Sequence, residues 1–292
     1  MTPLLRRVAI GLIAVGLHAT AAAKLVEQQF DLPVNVTNAW GKVVEQPIRV
    51  TLVFDDATPA PRPILLLNHG RAVESTARAA FGRARFTEAS HWLAERGFLV
   101  AMPTRIGYGV SGGEDVEDSG SCGNRLYPAV FRAAADQSLQ LLDELLKRDD
   151  VRKDRTVVMG QSFGGAAAVT LAALNPPGVV AAINFAGGGG GNPKDSPERP
   201  CGPAQLKRLF AGYGQTARMP MLWVYTENDR YFGPQLPREW FHAFREAGGQ
   251  AELRQFPPHG DDGHLLFSRF PQVWQPVVAD FLRRQGFTAV TD

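Results

Sequence analysis

Thr156-Val157-Val158-Met159-Gly160-Gln161-Ser162-Phe163-Gly164-Gly165-Ala166-Ala167-Ala168-Val169-Thr170-Leu171 is the stretch that decides the fold. Its first four residues are apolar or β-branched without alternation, as in a strand buried on both faces. Its last seven are small or apolar and have the composition of a helix that lies close against a neighbour. Between them stands the G-x-S-x-G turn Gly160-Gln161-Ser162-Phe163-Gly164. A strand that runs through such a turn directly into a helix leaves the serine on a strained corner, with its hydroxyl exposed above the sheet. The helix N-terminus then faces any oxyanion that develops at the serine. The same string occurs at Gly109-Val110-Ser111-Gly112-Gly113. That copy leads into Glu114-Asp115-Val116-Glu117-Asp118, which has no helical face, so Ser111 reads as a loop residue and 114–118 as a solvated acidic turn.

Outward from this unit the chain alternates strand-like and helix-like segments. Strands are expected at 48–54, 64–67, 98–102, 156–159, 179–185, 221–225 and 251–256, and helices at 86–96, 127–148, 163–174, 237–247 and 273–284. Continuous apolar strands separated by helices imply a single α/β domain, a mostly parallel sheet with helices on both faces, and 26–44 adds leading antiparallel strands. Chemistry in such a sheet collects in loops at the carboxyl ends of strands. Those loops begin at Asn68-His69-Gly70-Arg71, at 104–124, at the Ser162 turn, at Glu227-Asn228-Asp229 and at 257–264.

From about residue 48 to residue 287 the sequence resembles the α/β-hydrolase superfamily, within it the dienelactone-hydrolase-like and secreted serine esterase branch. The resemblance rests on the apolar strand ending in Asn68-His69-Gly70, the turn at Ser162, Glu227-Asn228-Asp229, and Asp262-Gly263-His264 before the last helix, in the order Ser, Asp, His. It implies hydrolysis. Namesake dienelactone hydrolases differ at the turn, where a cysteine replaces the serine, so their lactone substrate does not carry over.

A serine hydroxyl needs a base within hydrogen-bond reach and a third group to orient that base. Of six histidines, His18 falls in the leader, His91 and His242 lie inside expected helices, and His69 sits in the turn after a strand. His259 and His264 share one loop; His264 is preferred, because Gly263 allows a sharp turn before it and Leu265-Leu266-Phe267 anchors it. Asp229 is the expected acid, a few residues after a buried strand, with Glu227 as its rival. The oxyanion donors are expected to be the N–H groups of Phe163 and Arg71. Tyr108 is read as a substrate contact. The glycines at 187–191 lack the G-K-[ST] of a phosphate loop and read as a flexible loop at the mouth of the site. No nicotinamide, haem or metal-helix motif is present, and the chemistry requires no cofactor and no metal.

Arg6 and Arg7, an apolar run over 8–17 and Ala21-Ala22-Ala23 have the layout of a secretory signal peptide, expected to span 1–23 and leave 24–292 as the hydrolase domain. About ten apolar residues fall short of the roughly 20 that cross a bilayer as a helix, so no stable membrane anchor is expected after cleavage. Loss of Arg6 and Arg7 brings 31 basic side chains down to the 29 acidic ones, a balance that argues against nucleic acid as a partner. The protein is expected to be exported, to the periplasm or medium, where Cys122 and Cys201 pair as a disulfide. Three function classes follow: an exported serine hydrolase of small-molecule carboxylic esters, a serine peptidase on the same scaffold, and a non-catalytic binding protein. The first is preferred, since all three triad residue types are present and about 240 residues of hydrolase core leave no room for a peptide-recognition domain.

Overall fold

A computed structural model describes residues 24–287; the expected signal peptide lies outside the described residues. In chain order the elements are β1 (Leu25–Thr37), β2 (Val43–Asp55), β3 (Arg62–Asn68), α1 (Ser75–Ala79), α2 (Thr87–Ala94), β4 (Leu99–Thr104), α3 (Tyr127–Leu145), β5 (Val151–Gln161), α4 (Phe163–Ala173), β6 (Val179–Phe185), α5 (Pro203–Thr216), β7 (Met221–Thr226), α6 (Leu236–Glu246), β8 (Ala251–Phe256), α7 (Leu266–Arg269) and α8 (Pro271–Arg284). The strands form one eight-stranded sheet in the order β1-β2-β4-β3-β5-β6-β7-β8. β1 with β2 and β2 with β4 pair antiparallel, and all later pairs are parallel.

The strands are apolar throughout because both faces are covered. In β3, Ile64 and Leu66 belong to the core on the face of the sheet covered by α3 to α6, and Leu65 and Leu67 to the core on the opposite face, covered by α2, α7 and α8. All four are fully buried. α4 has no polar face, and every one of its residues is buried, the mark of a helix enclosed on all sides.

Two segments differ from the sequence expectation. The leading antiparallel strands are present, but the second of them is continuous with the strand expected at 48–54, because the chain turns at 38–42, where Asn38 Oδ1 accepts from the Trp40 and Lys42 N–H groups at 3.0 and 3.1 Å. Everything from Val43 on is therefore one long β2. Residues 203–216, absent from the helices expected above, form α5, whose Leu206 and Phe210 are buried at a four-residue spacing. That spacing and Pro203 at the first helical position were the available signals.

The sheet order places β3 and β5 side by side at its centre, flanked by β4 and β6. The loops after all four strands converge above the central pair. Cys122 and Cys201, from the loops after β4 and β6, are joined in a disulfide with Cα atoms 5.0 Å apart.

Candidate active site

Ser162 stands between the end of β5 and the first residue of α4 with φ 57° and ψ −124°. A non-glycine residue in that region is strained and persists only where its surroundings over-determine it. Here they do. The Ser162 N–H donates to the Phe185 carbonyl at 2.8 Å, and its carbonyl accepts from Gly165 at 2.8 Å and Ala166 at 3.1 Å. The flanking glycines are required by proximity. A Cβ on Gly160 would fall 2.1 Å from the Gly164 oxygen, and one on Gly164 would fall 2.4 Å from the carbonyls of Asn68 and His69. The second contact also fixes the turn after β3 against the start of α4.

The loops after β7 and β8 bring the other two polar groups to this corner. His264 Nε2 lies 2.9 Å from Ser162 Oγ, and His264 Nδ1 lies 2.9 Å from Asp229 Oδ2. Asp229 is fully buried and His264 nearly so. The second Asp229 oxygen accepts from the N–H groups of Tyr231 at 2.8 Å and Phe232 at 3.1 Å, so the carboxylate has no freedom to turn away. The Tyr231 ring stacks on the imidazole at 3.9 Å between centroids, and Phe232 meets it edge-on at 5.4 Å. Asp262 accepts from the His264 and Arg230 N–H groups, both at 3.0 Å, and so fastens the loop without approaching the ring.

Under the turn after β3 lies a buried ionic cluster that the sequence reading missed. Arg105 and Glu117 are both fully buried and form an ion pair. Arg105 also donates to the carbonyls of His69 at 2.7 Å and Gly70 at 3.4 Å. Glu117 further accepts from the Tyr108 hydroxyl at 2.7 Å. Burial opposes the charge on Arg105, but the Glu117 carboxylate and the Tyr108 phenol more than offset it and leave its pKa raised. His69 accepts the Arg105 N–H on Nε2 at 3.1 Å and places Nδ1 2.7 Å from the Gly70 carbonyl. Burial, and then the Arg105 charge, hold its pKa well below 6.5, so His69 is a neutral brace. Arg71 emerges from this turn and is gripped by both oxygens of Asp115 at 2.6 Å each. Asp115 and Glu117 are thus counter-charges to Arg71 and Arg105, while Glu114 and Asp118 of the same stretch stay exposed. No group of three or more His, Cys, Asp or Glu side chains is placed to hold a metal among the described residues.

Residues 59–213, just over half of the chain, match the family described as serine aminopeptidase, S33. The chain belongs to that family. Solved structures with a similar fold include a putative dienelactone hydrolase from Klebsiella pneumoniae, 16% identical with a TM-score of 0.57 over 87% of this chain and 99% of that one. An acetyl xylan esterase from Paenibacillus sp. R4 is 17% identical with a TM-score of 0.57 over 90% and 88% of the two chains. The acylaminoacyl peptidase of Pyrococcus horikoshii is 13% identical with a TM-score of 0.57, over 87% of this chain but only 41% of its own. No curated protein sequence matches. At these identities the structures establish an α/β-hydrolase fold, and the family establishes a hydrolase.

In this S33-family chain the structure brings Ser162, His264 and Asp229 into one hydrogen-bonded line and leaves the rivals outside it. Ser111 is buried, donates to the Thr104 carbonyl at 2.6 Å and accepts from the Arg49 N–H at 2.9 Å, tying β2 to β4. His259 Nδ1 lies 2.8 Å from the Pro257 carbonyl. Glu227 is exposed and pairs with Arg238 at 3.5 Å. Phe163 opens α4, where first-turn N–H groups have no partner within the helix. Arg71 follows Gly70, whose Cβ would sit 3.1 Å from the Cβ of Ser162. Tyr108 must be corrected: its ring is fully buried and its hydroxyl is spent on Glu117, so it braces the turn after β3 and does not line the cleft. The glycine run needs a correction too. A Cβ on Gly188 would strike the Phe232 ring at 2.7 Å, and one on Gly190 would lie 2.1 Å from the Tyr127 hydroxyl, so the run is packed on an aromatic floor.

Proposed function

We propose that the protein is an exported serine hydrolase of carboxylic esters. In this reading Ser162 Oγ attacks the ester carbonyl as His264 Nε2 takes its proton. Asp229 holds the imidazole in the tautomer with its proton on Nδ1 and stabilises the imidazolium that forms. The N–H groups of Phe163 and Arg71 receive the oxyanion. His264 then gives its proton to the leaving alkoxide, and a water activated by His264 releases the acid from the acyl-serine. The observation that carries the reading is the unbroken line Asp229–His264–Ser162, with the serine on a strained strand-to-helix corner. Export rests on the layout of 1–23 and agrees with the Cys122–Cys201 bridge.

The family description favours aminoacyl substrates as the second reading. Recognition of a free α-amine calls for an available carboxylate: of the two that line the cleft beside Ser162, Asp115 is already held by Arg71 and Arg78, which leaves Asp118, exposed in the same cleft, as the group that would meet it. The test is labelling by a fluorophosphonate followed by turnover on matched ester and aminoacyl-anilide substrates. Labelling of Ser162, its loss in Ser162→Ala and turnover of esters support the proposal. Labelling with turnover of anilides alone moves it to the peptidase, and absence of labelling rejects both.

A further inference from the structure

Ser162 lies at the junction of two clefts, one of about 440 Å³ and one of about 380 Å³. Ser162, Arg71 and Tyr231 line both; Phe163 lines only the larger and His264 only the smaller. That division orients the substrate, because the imidazolium must protonate the leaving oxygen and therefore has to lie within hydrogen-bond reach of it. The alcohol half of an ester accordingly occupies the His264 cleft, and the acyl half extends past Phe163 into the other.

The two clefts differ in chemistry. The His264 cleft is walled by Ala72, Phe81, Phe86 and Leu265. Of its guanidinium groups, Arg71 is held by Asp115 and Arg83 by Glu27 at 2.7 Å, and Arg85 is exposed. The Phe163 cleft is walled by Ser119, Asn192, Ser196, Tyr127 and the backbone of the glycine run. It also contains three arginines. Arg71 and Arg78 share Asp115, at 2.6 and 2.9 Å. Arg125 has no carboxylate within ion-pair distance among the described residues. Its bonds go to the Ser119 hydroxyl at 3.1 Å, the Gly120 carbonyl at 2.5 Å and the disulfide sulfur of Cys201 at 3.5 Å. All three acceptors are neutral, and its buried Nε has none. Asp118 lines the same cleft but is exposed. A half-buried guanidinium with only neutral acceptors is a site for an anion, and charge-assisted bonds to a carboxylate are its strongest option.

We propose that the two clefts sort the two halves of the ester: an apolar, aryl-sized alcohol beside His264, and an acyl group whose far end carries a carboxylate directed at Arg125. The substrate class is the half-ester of a dicarboxylic acid with an apolar alcohol. The bond from Ser162 Oγ to the acyl carbon forms as the bond from that carbon to the alcohol oxygen breaks. The serine proton passes through His264 to the alcohol, and water then releases the dicarboxylic acid. This rests on the ester-hydrolase reading above.

The experiment measures kcat/KM for benzyl hydrogen succinate, benzyl butyrate, glyceryl hydrogen succinate and glyceryl butyrate. The benzyl succinate is expected to exceed both benzyl butyrate and glyceryl succinate by about tenfold or more, the size of a charge-assisted bond or a buried aromatic ring. Arg125→Gln should bring the succinate-to-butyrate ratio to near one, Arg125→Lys should keep part of it, and Arg85→Gln should leave it unchanged. Equal turnover of the four esters overturns the sorting. A ratio lost in Arg85→Gln and kept in Arg125→Gln places the carboxylate on the alcohol side and overturns it too. Fluorophosphonate labelling of Ser162 with turnover of other esters but none of these refutes the sorting alone, whereas no labelling refutes the reading beneath it.

Discussion

Replacing Glu117 by alanine tests the ionic cluster under the turn after β3. Glu117 and Arg105 are both fully buried, and Glu117 takes two of the Arg105 nitrogens and the Tyr108 hydroxyl. Glu117→Ala leaves a buried guanidinium with only the His69 and Gly70 carbonyls as partners and a buried hydroxyl with none. Removing one partner of a buried ion pair costs about 3–5 kcal/mol, which for a domain of this size lowers the melting temperature by on the order of 10 °C. A solvated acidic turn would respond by less than about 0.5 kcal/mol, so the two descriptions of 114–118 differ by nearly an order of magnitude. Urea unfolding followed by circular dichroism measures the difference directly. Glu117→Gln, which keeps the shape and one acceptor oxygen, should lose less, and the double change Arg105→Met with Glu117→Leu should recover part of the loss. Glu117→Ala should also lower kcat, because Arg105 anchors the two carbonyls that precede Arg71. A stability change below about 1 kcal/mol in Glu117→Ala would refute the cluster as a structural element.

Other outcomes follow from the same structure. His69 is held neutral by burial and by Arg105. Below pH 6.5 the unfolded chain therefore takes up a proton that the folded chain refuses, and stability falls by about 1.4 kcal/mol per pH unit from this group. In urea unfolding at a series of pH values from 6.5 downward, His69→Gln should flatten the slope by that amount; an unchanged slope would remove His69 as its source. Ser162→Ala should abolish ester turnover, as loss of the nucleophile costs about 10⁶ in kcat in a serine protease. Ser111→Ala should retain turnover while losing stability through its bonds to Thr104 and Arg49. His264→Ala should likewise remove activity and His259→Ala should not, and a reversal in steady-state assays would move the base. Reduction of Cys122–Cys201, which closes a loop of 79 residues, should lower stability by up to about 4–5 kcal/mol on the chain-entropy estimate. It should also raise KM, since Cys201 holds the Arg125 guanidinium and lines the cleft; unchanged melting and KM after complete reduction would refute both roles.

The α/β architecture and the nucleophile corner were legible in the sequence because both depend on local pattern. Unbroken apolar strands announce a sheet covered on two faces, and a strand, a G-x-S-x-G turn and a small-residue helix in immediate succession leave the chain one way to run. Leu206 and Phe210 carry the same kind of local signal for α5, at the four-residue spacing of one helix face. What the sequence left open was set by contacts between residues far apart in the chain. Gly263 and the Leu265-Leu266-Phe267 anchor favour His264 over His259 along the sequence, but only the pairing of β7 with β8 brings it between Ser162 and Asp229, 102 and 35 residues away. Glu114-Asp115-Val116-Glu117-Asp118 reads as a solvated turn because the counter-charges of Asp115 and Glu117 are distant in sequence: Arg71 and Arg78 come from the segment after β3, and Arg105 stands twelve residues before Glu117. Tyr108 is near the site in sequence, yet its hydroxyl goes to Glu117, inside the protein. The division of the site into an apolar and a polar cleft belongs to the tertiary structure alone, since each wall is assembled from at least three separate loops whose meeting no local pattern encodes.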